Sequence, residues 1–357
     1  MRLTKTVGQY LLGSGALRHL GQLLGGTDES RGRRVVYLID HFFADGRLAA
    51  GLPIGANDIV DYVDTTDEPT TEQVDEIAAR LRAGPRPTAV VGIGGGCTMD
   101  IAKAVSNLLT NAGRAADYQG WDLVKSPGAF KIGVPTISGT GAEASRTCVM
   151  MNGAKNLKLG MNSDFTVFDR LVLDPDLTAT VPRKQYFYTG MDAYIHCIES
   201  LAGRYRHPFA DALSRQALTI CRDVFLDDDM QADDKREQLM VASFLGGSAI
   251  GNSYVGLVHP FSAGLSMVFH THHCVGNCVA LDALDEFYPR EAEEFRRMMD
   301  AQKIELPRGL CRNLTETQAR ALYDATVIHE KPLANALGDD FKSVLTFDKV
   351  AEIFARM

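Results

Sequence analysis

The sequence predicts an α/β domain over residues 1–183 followed by an all-helical domain over residues 184–357, and three observations carry that reading. At 357 residues the chain is too long for one small core, so two domains are expected. Up to Leu173, short β-rich apolar runs alternate with segments of helical period, the pattern of a parallel sheet with crossover helices. Beyond Arg183 the strand signals stop, and long segments rich in Ala, Leu and Met take over, as in 210–225 and 236–250. Pro175 and Pro182 mark the linker between the two regimes.

Residues 34–40, Arg-Val-Val-Tyr-Leu-Ile-Asp, read as the first buried parallel strand. Residues 58–64 give a second strand. Thr70 and Gln73 then resemble a capping box, with Val74, Ile77, Ala78 and Leu81 at helical spacing until Pro85 and Pro87 end the helix. Residues 88–93 form a third strand and run straight into Gly94-Gly95-Gly96 and a helix with Ile101, Ala104, Val105 and Leu108 on one face. Residues 131–136 supply a fourth strand, followed by Ile-Ser-Gly-Thr-Gly-Ala-Glu at 137–143, and the stretch from Lys155 to Asp174 holds further strands.

Glycines at a strand-to-helix junction let backbone N–H groups approach an anion, and the helix dipole favours a phosphate there. The small and hydroxyl residues after the fourth strand crowd a second strand end, where open α/β sheets bind ligands. Asp40, at the carboxyl end of the first strand, can accept hydrogen bonds from the two ribose hydroxyls of an adenosine and repel a 2′-phosphate, which selects NAD over NADP. A simple strand-end helix cap accounts for it equally well. The spacing is not Gly-x-Gly-x-x-Gly, and the acid precedes the glycines by 54 residues, so this is not the usual dinucleotide fingerprint.

In the second half, Asp192 and His196 are four apart and share one helix face, where both can reach one ion. His259 and His273, fourteen residues apart, would be separated by about 21 Å on one straight helix. The chain must therefore break between them if both are to bind. Gly-Leu-Val-His259 reads as the end of a buried helix and 270–274 as a polar connection into a new one. One carboxylate and three imidazoles suit Zn²⁺ or Fe²⁺, whereas calcium or magnesium would want more oxygens.

Lys and Arg number 37 against 45 Asp and Glu, and the net charge of −8 argues against nucleic acid as a partner. Arg31, Arg33 and Arg34 form the only tight basic group and read as a solvated loop. The first ten residues lack an apolar core of signal-peptide length, and no run of about 18 apolar residues occurs, so a cytoplasmic protein without a membrane partner is expected. Seven scattered cysteines do not make a disulfide framework. Cys274 and Cys278 are not needed as ligands, because the Asp and three His complete a set of four.

Gly94-Gly-Gly-Cys-Thr-Met-Asp100 with Ala102-Lys103, Pro135-Thr-Ile-Ser-Gly-Thr-Gly-Ala-Glu143, Asp174-Pro175, Gly190-Met-Asp-Ala-x-x-His196 and the His259/His273 pair follow the order and spacing of the iron-containing, or group III, alcohol dehydrogenases, and from residue 7 to 285 the chain resembles that family. The resemblance implies the dehydroquinate synthase-like architecture: an amino-terminal α/β NAD(P)-binding domain, a helical metal-binding domain and a cleft between them. It implies one divalent metal, Zn or Fe, on Asp192, His196, His259 and His273. It implies cofactor contacts from Asp40, Gly95, Gly96, Cys97, Asp100, Thr136 and Thr140, with Lys158 near the nicotinamide ribose.

The sequence departs from the family at two points. Cys97 stands where many members have serine. Ala263 stands where many carry a proton-relaying histidine, and either His270 or His272 takes that place as candidate catalytic relay or the proton leaves through water and the ribose hydroxyl. Residues 160–164, 188–200 and 330–338 resemble members acting on sugar acids, implying NAD-dependent oxidation of a primary alcohol of a sugar or sugar acid to an aldehyde. The rival enzyme class is a metal- and NAD-dependent lyase of the dehydroquinate-synthase type, and a homodimer is the expected assembly.

Overall fold

The computed structural model describes residues 4–25 and 33–357. The chain forms two compact units, one of Met1–Ser138 and Ala142–Thr180, the other of Gly139–Gly141 and Val181–Met357. In the first unit, strands β1 (Gln9–Leu12), β2 (Val35–Asp40), β3 (Ile59–Val63), β4 (Ala89–Gly94), β6 (Phe130–Pro135) and β9 (Arg170–Leu173) make one parallel sheet in the order β1-β9-β6-β4-β2-β3. Strands β5 (Gly120–Trp121), β7 (Thr147–Asn152) and β8 (Leu157–Asn162) make a second, smaller sheet. Every residue from Val35 to Ile39 is buried, as expected of a strand covered on both faces. Tyr37, Val91, Val134 and Val172 lie in one core, which also takes Leu20 of the short helix α1 (Leu20–Leu23).

The expected helices form. α2 (Thr71–Arg82) is N-capped by Thr70, whose hydroxyl accepts from the Gln73 amide at 3.0 Å, and buries Val74, Ile77, Ala78 and Leu81. The capping box is only half made, because the Gln73 side chain donates to the Asp64 carbonyl at 2.8 Å instead of returning to Thr70. α3 (Gly96–Leu108) starts directly after β4. Its close approach to the strand explains two glycines: a Cβ at Gly92 would lie 2.6 Å from Ala102 Cβ, and one at Gly94 would lie 2.7 Å from Thr98 Cβ.

β1 and β7 carry little strand signal and were not expected. β1 is short and half exposed, and β7 alternates only through Cys148, Met150 and Asn152, whose side chains are not strong strand formers. The basic group is not a solvated loop throughout. The Arg33 side chain is 11% exposed and pairs with Asp58 at 3.1 Å, and Arg34 donates to the Pro85 carbonyl at 2.6 Å. Arg31 lies outside the described residues.

The second unit is helical: α4 (Arg183–Ala202), α5 (Pro208–Phe225), α6 (Asp233–Ser253), α7 (Val258–Phe269), α8 (His273–Ala283), α9 (Pro289–Gln302), α10 (Glu316–Val327), α11 (Glu330–Leu337), α12 (Phe341–Val344) and α13 (Phe347–Ala355). The apolar faces of α4, α5 and α9 meet around Phe187, Phe225 and Phe295, with Phe187 and Phe225 edge to face at 5.3 Å. Segment 139–141 packs here as well. Ser243 Oγ of α6 accepts from the Gly139 and Gly141 amides at 2.8 and 3.2 Å, and a Cβ on Gly247 would lie 2.7 Å from Gly141 Cα. No single helix among the described residues is long and apolar enough to cross a membrane.

Gly92→Ala is expected to lower stability by about 1–3 kcal/mol, because the new methyl forces α3 off the sheet. Denaturant unfolding of the two proteins checks this, and an unchanged midpoint would contradict the close-packing account.

Candidate active site

Within the helical unit, α4 carries Asp192 and His196 one turn apart, both buried. His259 lies in the first turn of α7, not at the end of a helix as its sequence context implies, since the preceding Tyr254–Leu257 stretch is the break. The break between α7 and α8 falls where expected: His270 takes a left-handed φ of 53° and closes α7, and α8 opens at His273. Ligand atoms of Asp192, His196 and His259 lie within 4.8 Å of one another. Asp192 Oδ1 is 3.6 Å from His196 Nε2 and 3.4 Å from His259 Nε2, and Oδ2 is 3.6 Å from His273 Nε2. Three of the four groups chosen from the sequence therefore converge on one point, and the fourth, His273, faces the other oxygen of the same carboxylate.

Electrostatics at that point favour a shared cation. Asp192 is fully buried; burial alone would raise its carboxyl pKa, but the imidazoles of His196, His273 and His259 hold it well below the usual carboxylate range. Burial pulls His196 down to about 4, against the opposing charge of Asp192, so it is neutral at ordinary pH and its lone pair is available. Burial also presses on His259, but the Glu199 carboxylate and Asp192 outweigh it and push it up to about 10. The His196 and His259 rings stack at 4.8 Å with 12° between their planes, a geometry in which two imidazolium charges would repel. A donor set of one carboxylate and three Nε2 atoms is satisfied by one Zn²⁺ or Fe²⁺, so these residues fit such an ion.

Two neighbours escaped sequence reasoning. Asn277, one turn after His273 on α8, directs Nδ2 at the same point, 2.7 Å from Asp192 Oδ1 and 3.2 Å from His273 Nε2. Glu199, seven residues after Asp192, places Oε2 2.5 Å from His259 Nδ1. Asn277 follows from helical spacing; Glu199 could not be found that way, because its partner sits on another helix. Cys274 is near, with Sγ 3.8 Å from Asp192 Oδ2, but it stands outside the convergent cluster and Cys278 points to the Tyr188 carbonyl. All seven cysteines are free.

His270 and His272 are exposed and flank the α7–α8 break. Ala263 occupies the buried position one turn after His259.

In the α/β unit, Gly95 is the N-cap of α3 and Gly96 its first residue, so the glycine run does present helix amides at a strand end. Asp40 serves as the cap that the sequence allowed, its Oδ1 accepting from the Phe42 amide at 3.0 Å, while Oδ2 lies 3.5 Å from Thr98 Oγ1. Burial pushes the Cys97 thiol far above its ordinary range. Asp100 turns towards β7: its Oδ2 accepts from the Val149 amide at 2.9 Å, and burial, opposed by Lys103, raises it to about 6.

Lys158, 5% exposed, sets Nζ 2.9 Å from Glu68 Oε1, a pairing that nothing in the sequence signalled because the two lie 90 residues apart. Thr136 is buried, and its amide donates to the Gly94 carbonyl at 3.0 Å. Thr140 falls in the 139–141 segment of the helical unit. Asp174, part of the sequence motif, is architectural: its carboxylate accepts from the Gly15 and Leu17 amides at 3.0 and 2.9 Å.

Residues 8–175 match the family model described as iron-containing alcohol dehydrogenase, and residues 186–327 match that described as Fe-containing alcohol dehydrogenase family, C-terminal. The chain is 32% identical to sulfoacetaldehyde reductase of Bilophila wadsworthia over 59% of its own length and 55% of the relative's. It is 27% identical to the NAD-dependent methanol dehydrogenase of Bacillus methanolicus over 75% of its length and 71% of the relative's. The first of these matches thus spans little more than half of the relative. The fold matches a crystal structure of sulfoacetaldehyde reductase from Bifidobacterium kashiwanohense in complex with NAD⁺, with a TM-score of 0.81 at 21% identity, over 99% of this chain and 98% of that one.

The raised His259 gives a sign for metal loading. Without the ion, His259 keeps its second proton up to about pH 10, and an incoming ion must displace it. Loading at pH 7–8 is expected to release about one proton, and apparent affinity to climb as pH rises towards 10. Calorimetry in buffers of different ionisation heat measures the release; a heat independent of buffer would contradict it.

Proposed function

The chain belongs to the iron-containing alcohol dehydrogenase family, and from that premise we propose that it is an NAD- and metal-dependent dehydrogenase oxidising a primary alcohol of a sugar or sugar acid to the aldehyde. The observation that carries the reading is the convergence of Asp192, His196 and His259 on one buried point, with His273 facing the same carboxylate. A divalent ion bound there supplies a Lewis acid that lowers the pKa of a coordinated alcohol.

The chain's own residues do the rest. Asp192, His196, His259 and His273 would hold the ion. The amides at Gly95 and Gly96 would receive the dinucleotide pyrophosphate, Asp40 would accept from the adenosine ribose, and Lys158 with Glu68 would offer a donor and an acceptor to the second ribose. Bound NAD would supply the hydride acceptor for the substrate carbon, and the exposed His270 or His272 would carry the hydroxyl proton away. Cytoplasmic location and a homodimer complete the proposal.

The sugar-acid substrate rests on the resemblance of residues 160–164, 188–200 and 330–338 to 3-deoxy-D-manno-octulosonate 8-oxidase. A second reading, reduction of a small anionic aldehyde, is favoured by the similarity to two sulfoacetaldehyde reductases. The lyase reading is not favoured, since both matching family models describe alcohol dehydrogenases.

Near-ultraviolet absorbance of reduced nicotinamide, followed with metal-loaded protein against sugar acids, simple alcohols and sulfoacetaldehyde, tests the proposal. NADH formation fastest with a sugar acid is expected. Absence of turnover in either direction with every compound would reject the dehydrogenase reading. Asp40→Gly is expected to relax the discrimination against NADP, read as the ratio of kcat/KM for the two cofactors; an unchanged ratio would remove Asp40 from ribose recognition.

A further inference from the structure

We propose that Glu199 is the residue that fixes the tautomer of His259 and so presents the correct nitrogen to the metal. The inference deepens the proposed function and rests on its metal reading. Glu199 is fully buried near the end of α4, and both its oxygens are engaged across to α7. Oε1 accepts from the Val258 amide at 2.6 Å, and Oε2 lies 2.5 Å from His259 Nδ1. Gly256 leaves the space this needs, since a Cβ there would come within 3.3 Å of Oε1 and 2.9 Å of Tyr288 Oη.

An ionised carboxylate only accepts, so the proton of a neutral His259 resides on Nδ1, and the lone pair resides on Nε2, the atom 3.4 Å from Asp192 Oδ1. The other oxygen anchors the first turn of α7, whose amides have no partner within the helix. One side chain thus sets both where His259 sits and which face of its ring can ligate. A carboxylate in this position also strengthens the imidazole as a donor, and loss of such partners costs metal affinity about 10–100-fold.

Glu199→Gln separates this role from simple helix anchoring. The glutamine carbonyl can still accept from Val258, but its NH₂ then faces Nδ1 and donates to it, which moves the ring proton onto Nε2 and blocks the ligand atom. We expect zinc affinity, measured by competition with a chromophoric chelator, to fall about 10–100-fold while circular dichroism shows the zinc-free variant still folded. Unchanged zinc affinity in a folded E199Q overturns the proposal and leaves the metal reading intact. Failure of the wild-type protein to bind zinc overturns both.

A measurement on the wild type needs no variant: in the zinc-loaded protein labelled with ¹⁵N-histidine, His259 is expected to carry its proton on Nδ1. A proton on Nε2 overturns the proposal.

Discussion

The helical unit is organised around a carboxylate shut away from the surface. Asp192 is fully buried on α4, and a buried ionised group is costly unless it is paired. The structure surrounds it with imidazoles from three helices: His196 from its own, His259 from α7 and His273 from α8. Bringing α7 and α8 to the same carboxylate dictates the left-handed turn at His270 and the helix start after Leu257. The same requirement explains why polar residues that sequence composition would place at a surface, Glu199 and Asn277, are buried beside it. Shared between three imidazoles, the negative charge defines a place for one cation, and the chemistry assigned to this chain follows from that place.

Glycine serves two different ends in the two motif loops. At Gly92 and Gly94 it allows α3 to lie directly on the strand that precedes it, which brings the amides at the start of that helix to the end of the sheet. At Gly139 and Gly141, with φ of 142° and 60°, it allows backbone to run against α4 and α6, where Ser243 holds both amides. Both loops look alike in sequence, as runs of small residues after a buried strand. Their physical demands differ: the first is a close helix–strand approach, the second a left-handed backbone wedged against Gly247.

Most of the architecture was legible from residue order. The parallel strands at 35–40, 59–63, 89–94, 130–135 and 170–173 are short β-rich runs, and the helical half from α4 onward shows in its Ala-, Leu- and Met-rich composition. The strands at 9–12 and 147–152 were not legible, because each depends on a partner strand for its stability and not on its own side chains. Three of the four groups around Asp192 could be nominated from type and spacing, yet the position of His259 within its helix could not, since Gly-Leu-Val reads equally as a helix end or a beginning.

The sequence alone determined the fold class, the spacing that lets Asp192 and His196 share a helix face, and the need for a break before His273. Only the tertiary structure decided that these groups meet on one point, that Glu199 reaches across from α4 to α7, that Glu68 pairs with Lys158, and that Asp100 turns into the protein towards Val149. The physical reason is range. Periodicity, capping and turn chemistry act within a few residues and leave their trace in order, whereas a buried charge is compensated by whatever the packed chain brings within about 4 Å, from any distance along the sequence.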